Sequence, residues 1–330
     1  MDDLISLLNA DLFGKAAWIW LLFVGIVAAL LAFDLGVLHK DDHEIGIQES
    51  LLLSSGYITI ALCFGAWVWW LLGAQSGMAY FTGFMIEKSL SMDNVFVIAL
   101  IFSFFAIPRQ YQHRVLFWGI LGVIVLRAIM IGLGATLVTQ FAWVLYLFGA
   151  FLVITGIKMW ILADHVPDIA SNPLLRFLKR HIRVTESLHG NAFWVRRADP
   201  ATGTVVRWAT PLFLALVLIE FVDLVFAVDS VPAIFAITTD PFIVLTSNIF
   251  AVLGLRAMFF LLADMADRFH LLPYGLAVIL LFVGAKMLAA GVFHIPPLVS
   301  LGVILGILAT TIALSLRVKA EDHAPVARKQ

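Results

Sequence analysis

Run after run of apolar residues, each about 19–29 long, is the feature of this chain that most restricts its fold. Hydrocarbon offers a backbone no hydrogen-bond partners, so segments of this length that cross it must be helices. Nine such runs lie near residues 16–38, 50–73, 79–107, 115–137, 141–163, 210–237, 241–263, 273–291 and 297–316. With 62% hydrophobic and 13% charged residues, the composition excludes an ordinary soluble domain and predicts an all-α, polytopic membrane bundle of about nine transmembrane helices. The lone cysteine, Cys63, sits in an apolar run, which leaves neither a disulfide framework nor a thiolate metal site. The opening "MDDLISLLNADLFGK" is acidic and lacks the basic stretch of a signal peptide, so it is expected to be retained.

The placement of basic residues predicts the topology. Connections one, three, five and seven and the tail hold Lys40, Arg109, Arg114, the set from Arg176 to Arg207, Arg268, and Arg317 to Lys329. The even connections, 73–79, 138–140, 238–240 and 291–296, hold neither Lys nor Arg. Positive charge stays inside, which puts the N-terminus outside an inner membrane and the C-terminus in the cytosol. In the cytosolic connection 164–208, "NPLLRFLKRHIRV" reads as a basic amphipathic helix against the anionic leaflet. "FWVRRADPATGTVVRW" reads as a hairpin. Neither is assigned chemistry.

Three fragments recur in order. "EKSLSMDN" (87–94) returns as "DLVFAVDS" (223–230), "LRAIM" (126–130) as "LRAMF" (255–259), and "TGIKM" (155–159) as "VGAKM" (283–287). The unit is three helices long, covering 79–163 and then 210–291 on either side of the loop. An odd-numbered unit enters the bilayer from the opposite side the second time. This predicts an inverted repeat, whose sites lie near the midplane where the units meet.

Each recurring fragment carries charge into a span. The acids are Asp34, Glu87, Asp93, Glu220, Asp223 and Asp229, and the bases Lys88, Arg127, Lys158, Arg256 and Lys286. Left unpaired, they would cost on the order of 30 kcal/mol by summed insertion costs, so most must be paired, hydrated or metal-bound. Structural ion pairing or gating suits Arg127 and Arg256, since a guanidinium forks onto a carboxylate. Lys158 and Lys286, near helix ends, can equally snorkel to the interface. Lys88 and Glu220 join the structural or gating set. On a helical wheel Glu87, Ser91 and Asn94 share one face, as do Asp223, Ala227 and Ser230, with Asp93 and Asp229 one step round. Pro232 removes the amide that would bond the carbonyl of Val228, so the sixth span is expected to kink beside Asp229.

The polar inventory of these spans is carboxylate, amide, hydroxyl and backbone carbonyl, while the nine histidines lie in loops, tails or helix ends. Oxygen donors suit Mg²⁺, Ca²⁺ or Mn²⁺. Asp93 and Asp229 are the expected core of a cation site, with Asn94, Ser230, Glu87, Asp223 and Asp34 as further ligands. The alternative is purely structural pairing.

At these residues the chain resembles the TerC family of bacterial integral membrane proteins. The resemblance runs from "FDLGVLHK" (33–40) through "EKSLSMDNVFVIALIF" and "RWATPLFLALVLIEFVDLVFAVDSVPAIFAITTDPFIVLTSNIFAVLGLRAMFFLL" to "YGLAVILLFVGAKML" and "HIPPLVSLGVI". It implies a fold related to LysE-type exporters and export of manganese, with calcium second, across the inner membrane. The family's older name refers to tellurite resistance. The rival reading is therefore a metal-stress membrane protein that binds an oxyanion through Arg127 and Arg256, or acts as a scaffold or sensor without transport. Six acids in the spans oppose an anion site. An intramembrane aspartyl protease would need Tyr-Asp and Gly-x-Gly-Asp, and here Met92 and Val228 precede the aspartates. The expected partners are a transported divalent cation exchanged for protons, the lipid bilayer and, in an oligomer, further copies of the chain. No organic cofactor, nucleic acid or enzymatic activity is expected.

Overall fold

The computed structural model describes residues 8–36, 47–141, 143–163, 168–198, 204–262, 271–292 and 295–317. Helix occupies each of the apolar runs. In chain order these are α1 (Ala17–Gly36), α2 (Ile47–Leu72), α3 (Ala74–Phe104), α4 (Arg109–Gln140) and α5 (Val144–Leu162). After a short extramembrane helix, α6 (Pro173–His181), come α7 (Pro211–Phe235), α8 (Pro241–Leu253), α9 (Leu255–Leu262), α10 (Leu272–Leu288) and α11 (Pro297–Arg317). Among the described residues six helices (α1, α2, α4, α5, α7 and α11) are long and apolar enough to cross a membrane, while α8 and α10 are shorter apolar helices. Helix α3 is 31 residues long but carries the charged cluster. The molecule is an all-α polytopic membrane bundle.

Its burial pattern is that of a protein dissolved in lipid. The outward positions are large and apolar, among them Leu52, Trp70, Leu133, Ile154 and Ile161, whereas Arg127 heads the largest fully buried side chains. Polar groups face in because the surrounding hydrocarbon cannot hydrogen-bond them.

Local chemistry sets the breaks. Gly73, at φ 88°, lets α2 turn directly into α3 in a conformation that L side chains rarely adopt. The seventh apolar run, expected as one span, is interrupted at Gly254 into α8 and α9. A Cβ at Gly254 would come 2.9 Å from the ammonium of Lys88. The missing side chain at this glycine leaves room for the Lys88 ammonium. Pro232 lies inside α7, and the helix continues to Phe235.

Helices α5 and α10 form a close pair. A Cβ on Gly284 would lie 2.8 Å from the carbonyl oxygen of Gly149, and one on Gly156 would lie 3.0 Å from that of Ala277. Small residues bring two backbones together where hydrophobic burial gives no drive, because lipid is as apolar as leucine. Around this pair, α3 lies against α7 and α8, and α4 lies against α7.

Outside the spans the expected elements form. Asn172 caps α6 by accepting from the amide of Leu174 at 2.9 Å, and Pro173 fills the first helical position. Strands β3 (Trp194–Ala198) and β4 (Val205–Ala209) pair antiparallel with Arg196 opposite Arg207. At the other end of the chain, β1 (Asp11–Leu12) and β2 (Lys15–Ala16) make a small hairpin. Lys15 bridges it to Asp240, at the start of α8, at 2.9 Å.

The α5–α10 contact makes a clear prediction. Gly284→Leu should destabilise the folded protein by about 1–3 kcal/mol through overpacking. Gly132→Ala, where nothing lies within 4 Å, should leave stability unchanged or slightly raised. Thermal unfolding of the full chain in detergent compares the two.

Candidate functional site: a buried ionic core at mid-span

Four helices meet at one guanidinium. Arg127, halfway along α4, is fully buried. Its Nε donates to Asp223 Oδ2 at 3.0 Å and its Nη2 to Asp223 Oδ1 at 2.9 Å, a fork on a carboxylate of α7. Its Nη1 donates to Glu87 Oε1 of α3 and, at 2.9 Å, to Asn248 Oδ1 of α8. The ring closes through Asn248 Nδ2, which donates to Glu87 Oε2 at 2.9 Å. Asn94 Nδ2 donates to Asp223 Oδ1 at 3.3 Å, and Ser91 Oγ to Glu87 Oε1 at 3.4 Å. Glu87, Ser91 and Asn94 thus do share one face, as their spacing on the helix requires.

Charge is not balanced within this ring. Among the described residues two carboxylates face one guanidinium, a formal excess of one negative charge within the ring itself. The site is also tight. The cavity that touches Asn94 and Asp223 has a volume of about 20 Å³, room for roughly one water and too little for a hydrated cation. Asn94 Oδ1 and Ser230 Oγ are buried acceptors without a hydrogen-bond partner among the described residues.

The remaining candidates are spread around this core. Asp229 is half-buried and accepts from Thr155 Oγ1 of α5 at 3.1 Å. Lys158, one turn further along α5, is exposed. Lys88, on α3, is buried and donates to the carbonyl of Ala251 at 3.2 Å, in the last turn of α8 where the helix dipole favours a cation. Glu220, one turn before Asp223, presses its carboxylate on Gly122 of α4, and its Oε2 is buried without a partner. Lys286 donates to Ser300 Oγ of α11 at 2.8 Å. Asp34 is buried near the end of α1 and engaged with a partner. Asp93 belongs to α3 and Arg256 to α9, but both side chains lie outside the described residues. Among the described residues, no three His, Cys, Asp or Glu side chains are grouped to hold a metal ion.

The structure therefore joins Glu87, Asn94, Arg127 and Asp223, and sets Asp229 and Ser230 in another part of α7. Sequence reasoning missed Asn248 and Thr155. The signal for the first was an amide inside the apolar "LTSNIF", and a lone threonine in an apolar helix carries almost none.

A lipid-facing helical bundle closed around a mid-span ionic ring defines a polytopic integral membrane protein with a polar centre. The chain belongs to the integral membrane protein TerC family, whose model matches residues 72–323. It is similar to Alx of Escherichia coli K12, named provisionally as a membrane-bound redox modulator, with 48% identity over 306 residues, 90% of this chain and 94% of that one. It is also similar to the uncharacterised membrane protein STKORF319 of Myxococcus xanthus, with 47% identity over 93% of this chain and 94% of that one. A further uncharacterised membrane protein, from Rickettsia bellii, is 46% identical over 89% of this chain and 97% of its own length. No solved structure matches.

Arg127→Met should destabilise the protein by about 3–5 kcal/mol, because it strands two buried carboxylates. Adding Glu87→Gln and Asp223→Asn to that change should recover most of the loss, since the triple variant buries no charge at the ring. Unfolding measured on the single and triple variants checks this. Equal stability of the two would contradict it.

Proposed function

We propose that this protein exports a hard divalent cation, Mn²⁺ first and Ca²⁺ second, in exchange for protons across the inner membrane. The single observation that carries the reading is the pair of carboxylates that share one guanidinium at mid-span. Among the described residues Glu87 and Asp223 share one guanidinium, and Asp229 adds a further carboxylate, which accepts from the Thr155 hydroxyl and feels the charge of Lys158. An acidic centre in hydrocarbon is stable when a proton or a cation compensates it, and alternation between the two is an exchange cycle. The unpartnered oxygens of Asn94 and Ser230 are hard donors of the kind Mn²⁺ and Ca²⁺ take.

In this reading Asp93 and Asp229, from opposed repeats, take the cation, with Asn94, Ser230 and Asp34 completing a shell of about six oxygens. The Arg127 ring is the hinge: it holds Glu87 and Asp223 until the cation draws them away. The units 79–163 and 210–291 are inverted repeats in a nine-span chain, with the N-terminus outside and the C-terminus in the cytosol. Supporting this are the Gly149–Gly284 and Gly156–Ala277 approaches, in which matched segments of the two units meet each other reciprocally. The small cavity at the ring corresponds to an occluded state, and transport then requires the units to rock about that seam.

Asp93→Asn and Asp229→Asn should each abolish metal tolerance while the protein stays folded and inserted, because the amide retains an oxygen but loses the charge. Normal export by both variants would leave structural pairing as the better account. Mn²⁺ uptake by everted vesicles should also fall when the proton gradient is collapsed at fixed potential and change direction when it is reversed. Flux indifferent to both points to a channel.

A further inference from the structure

A second cavity, lined by none of the residues of the ionic ring, lies at the cytosolic connection. It has a volume of about 820 Å³ and opens where two membrane helices end: Phe104 is the last residue of α3 and Pro211 the first of α7. Its lining combines apolar Phe104, Phe105 and Leu214 with Lys179, Arg180, His181 and Arg183 against a single acid, Glu186. We propose that this cavity binds the headgroup of an anionic phospholipid drawn from the bilayer that the chain spans.

Three observations favour a lipid occupant. First, the basic segment is held in place. Leu175 and Leu178 bury the inner face of α6 in the same apolar cluster as Leu212, Leu214 and Leu218 of α7. The segment after α6 is pinned to β4, with the amide of Ala209 donating to the carbonyl of Arg183 at 2.8 Å and that of Thr185 to the carbonyl of Ala209 at 2.9 Å. The bases are thus presented by an ordered scaffold rather than by a loose tail. Second, the charge is one-sided, which suits a phosphodiester. Third, the cavity is amphipathic and level with the ends of two spans. A free phosphate would satisfy the bases and leave the phenylalanines bare, whereas a phospholipid places its phosphate among the bases and its glycerol and upper acyl carbons on Phe104 and Phe105. Bound there, the lipid ties α6 to α3 and α7, the helices that carry Glu87 and Asp223.

The test uses the full chain in nanodiscs, with retained lipid counted by native mass spectrometry. Phosphatidylglycerol should be retained in preference to phosphatidylcholine. Lys179→Gln with Arg180→Gln and Arg183→Gln should weaken that retention roughly 10- to 100-fold, at about one tenfold step or less per removed base. Arg196→Gln with Arg197→Gln and Arg207→Gln removes the same charge from the exposed hairpin outside the cavity and should leave retention within about twofold. Phe104→Asp leaves α6 untouched, alters a half-exposed side chain, and should weaken retention by putting a carboxylate in the apolar lining. Equal losses from the two arginine-bearing sets would mean general attraction to the leaflet and overturn the site. Displacement of the lipid by millimolar inorganic phosphate would assign it to free phosphate instead, and an absence of headgroup preference would remove it altogether.

Discussion

Everything in the middle of this bundle depends on the solvation of one guanidinium. Arg127 sits where neither water nor lipid can hydrate it, and an unpaired charge at that depth is worth several kcal/mol of destabilisation. Its donors are instead taken by Asp223, Glu87 and Asn248. Those acceptors come from α7, α3 and α8, so the fork geometry of a single side chain fixes how three helices stand around a fourth. A looser cation would tolerate looser packing. A planar, bidentate one demands a register.

The same constraint explains the glycines and the broken helix. Bringing carboxylates from two helices onto one arginine requires short interaxial distances nearby, and Gly122 and Gly134 on α4 supply them, facing Glu220 and Phe235 of α7. The break at Gly254 lets the ammonium of Lys88 reach the C-terminal carbonyls of α8, which carry partial negative charge. Arg127 is met by acids and an amide, Lys88 by a helix end and Lys286 by a hydroxyl. The acids are less fully matched: Glu220 keeps a buried carboxylate oxygen with no hydrogen-bond partner among the described residues.

Much of this was legible in the chain before any fold. Run length and basic-residue placement mark the membrane-length helices, and the fold has helices in those places because hydrocarbon permits nothing else. The Asn172-Pro173 cap and the alternation around 194–209 likewise marked α6 and the hairpin, since their signals are local. The interruption of the seventh run was not legible. Gly254 looks like any glycine in an apolar helix until Lys88 is seen against it.

What the sequence determined by itself is the inventory: which spans exist, which of them carry charge, and that oxygen donors predominate among the polar groups. What only the tertiary structure decided is the pairing. Glu87 and Asp93, like Asp223 and Asp229, are six residues apart, roughly 240° round a helix, so one partner cannot receive both members of either pair. Spacing says that they diverge but not which one faces Arg127, because helix rotation is set by packing against neighbours distant in sequence. In the folded chain Glu87 and Asp223 turn to the arginine while Asp229 turns to Thr155 on α5. Two aspartates of one helix, Asp223 and Asp229, thereby acquire different surroundings, and it is surroundings, not residue type, that determine what a buried carboxylate can bind.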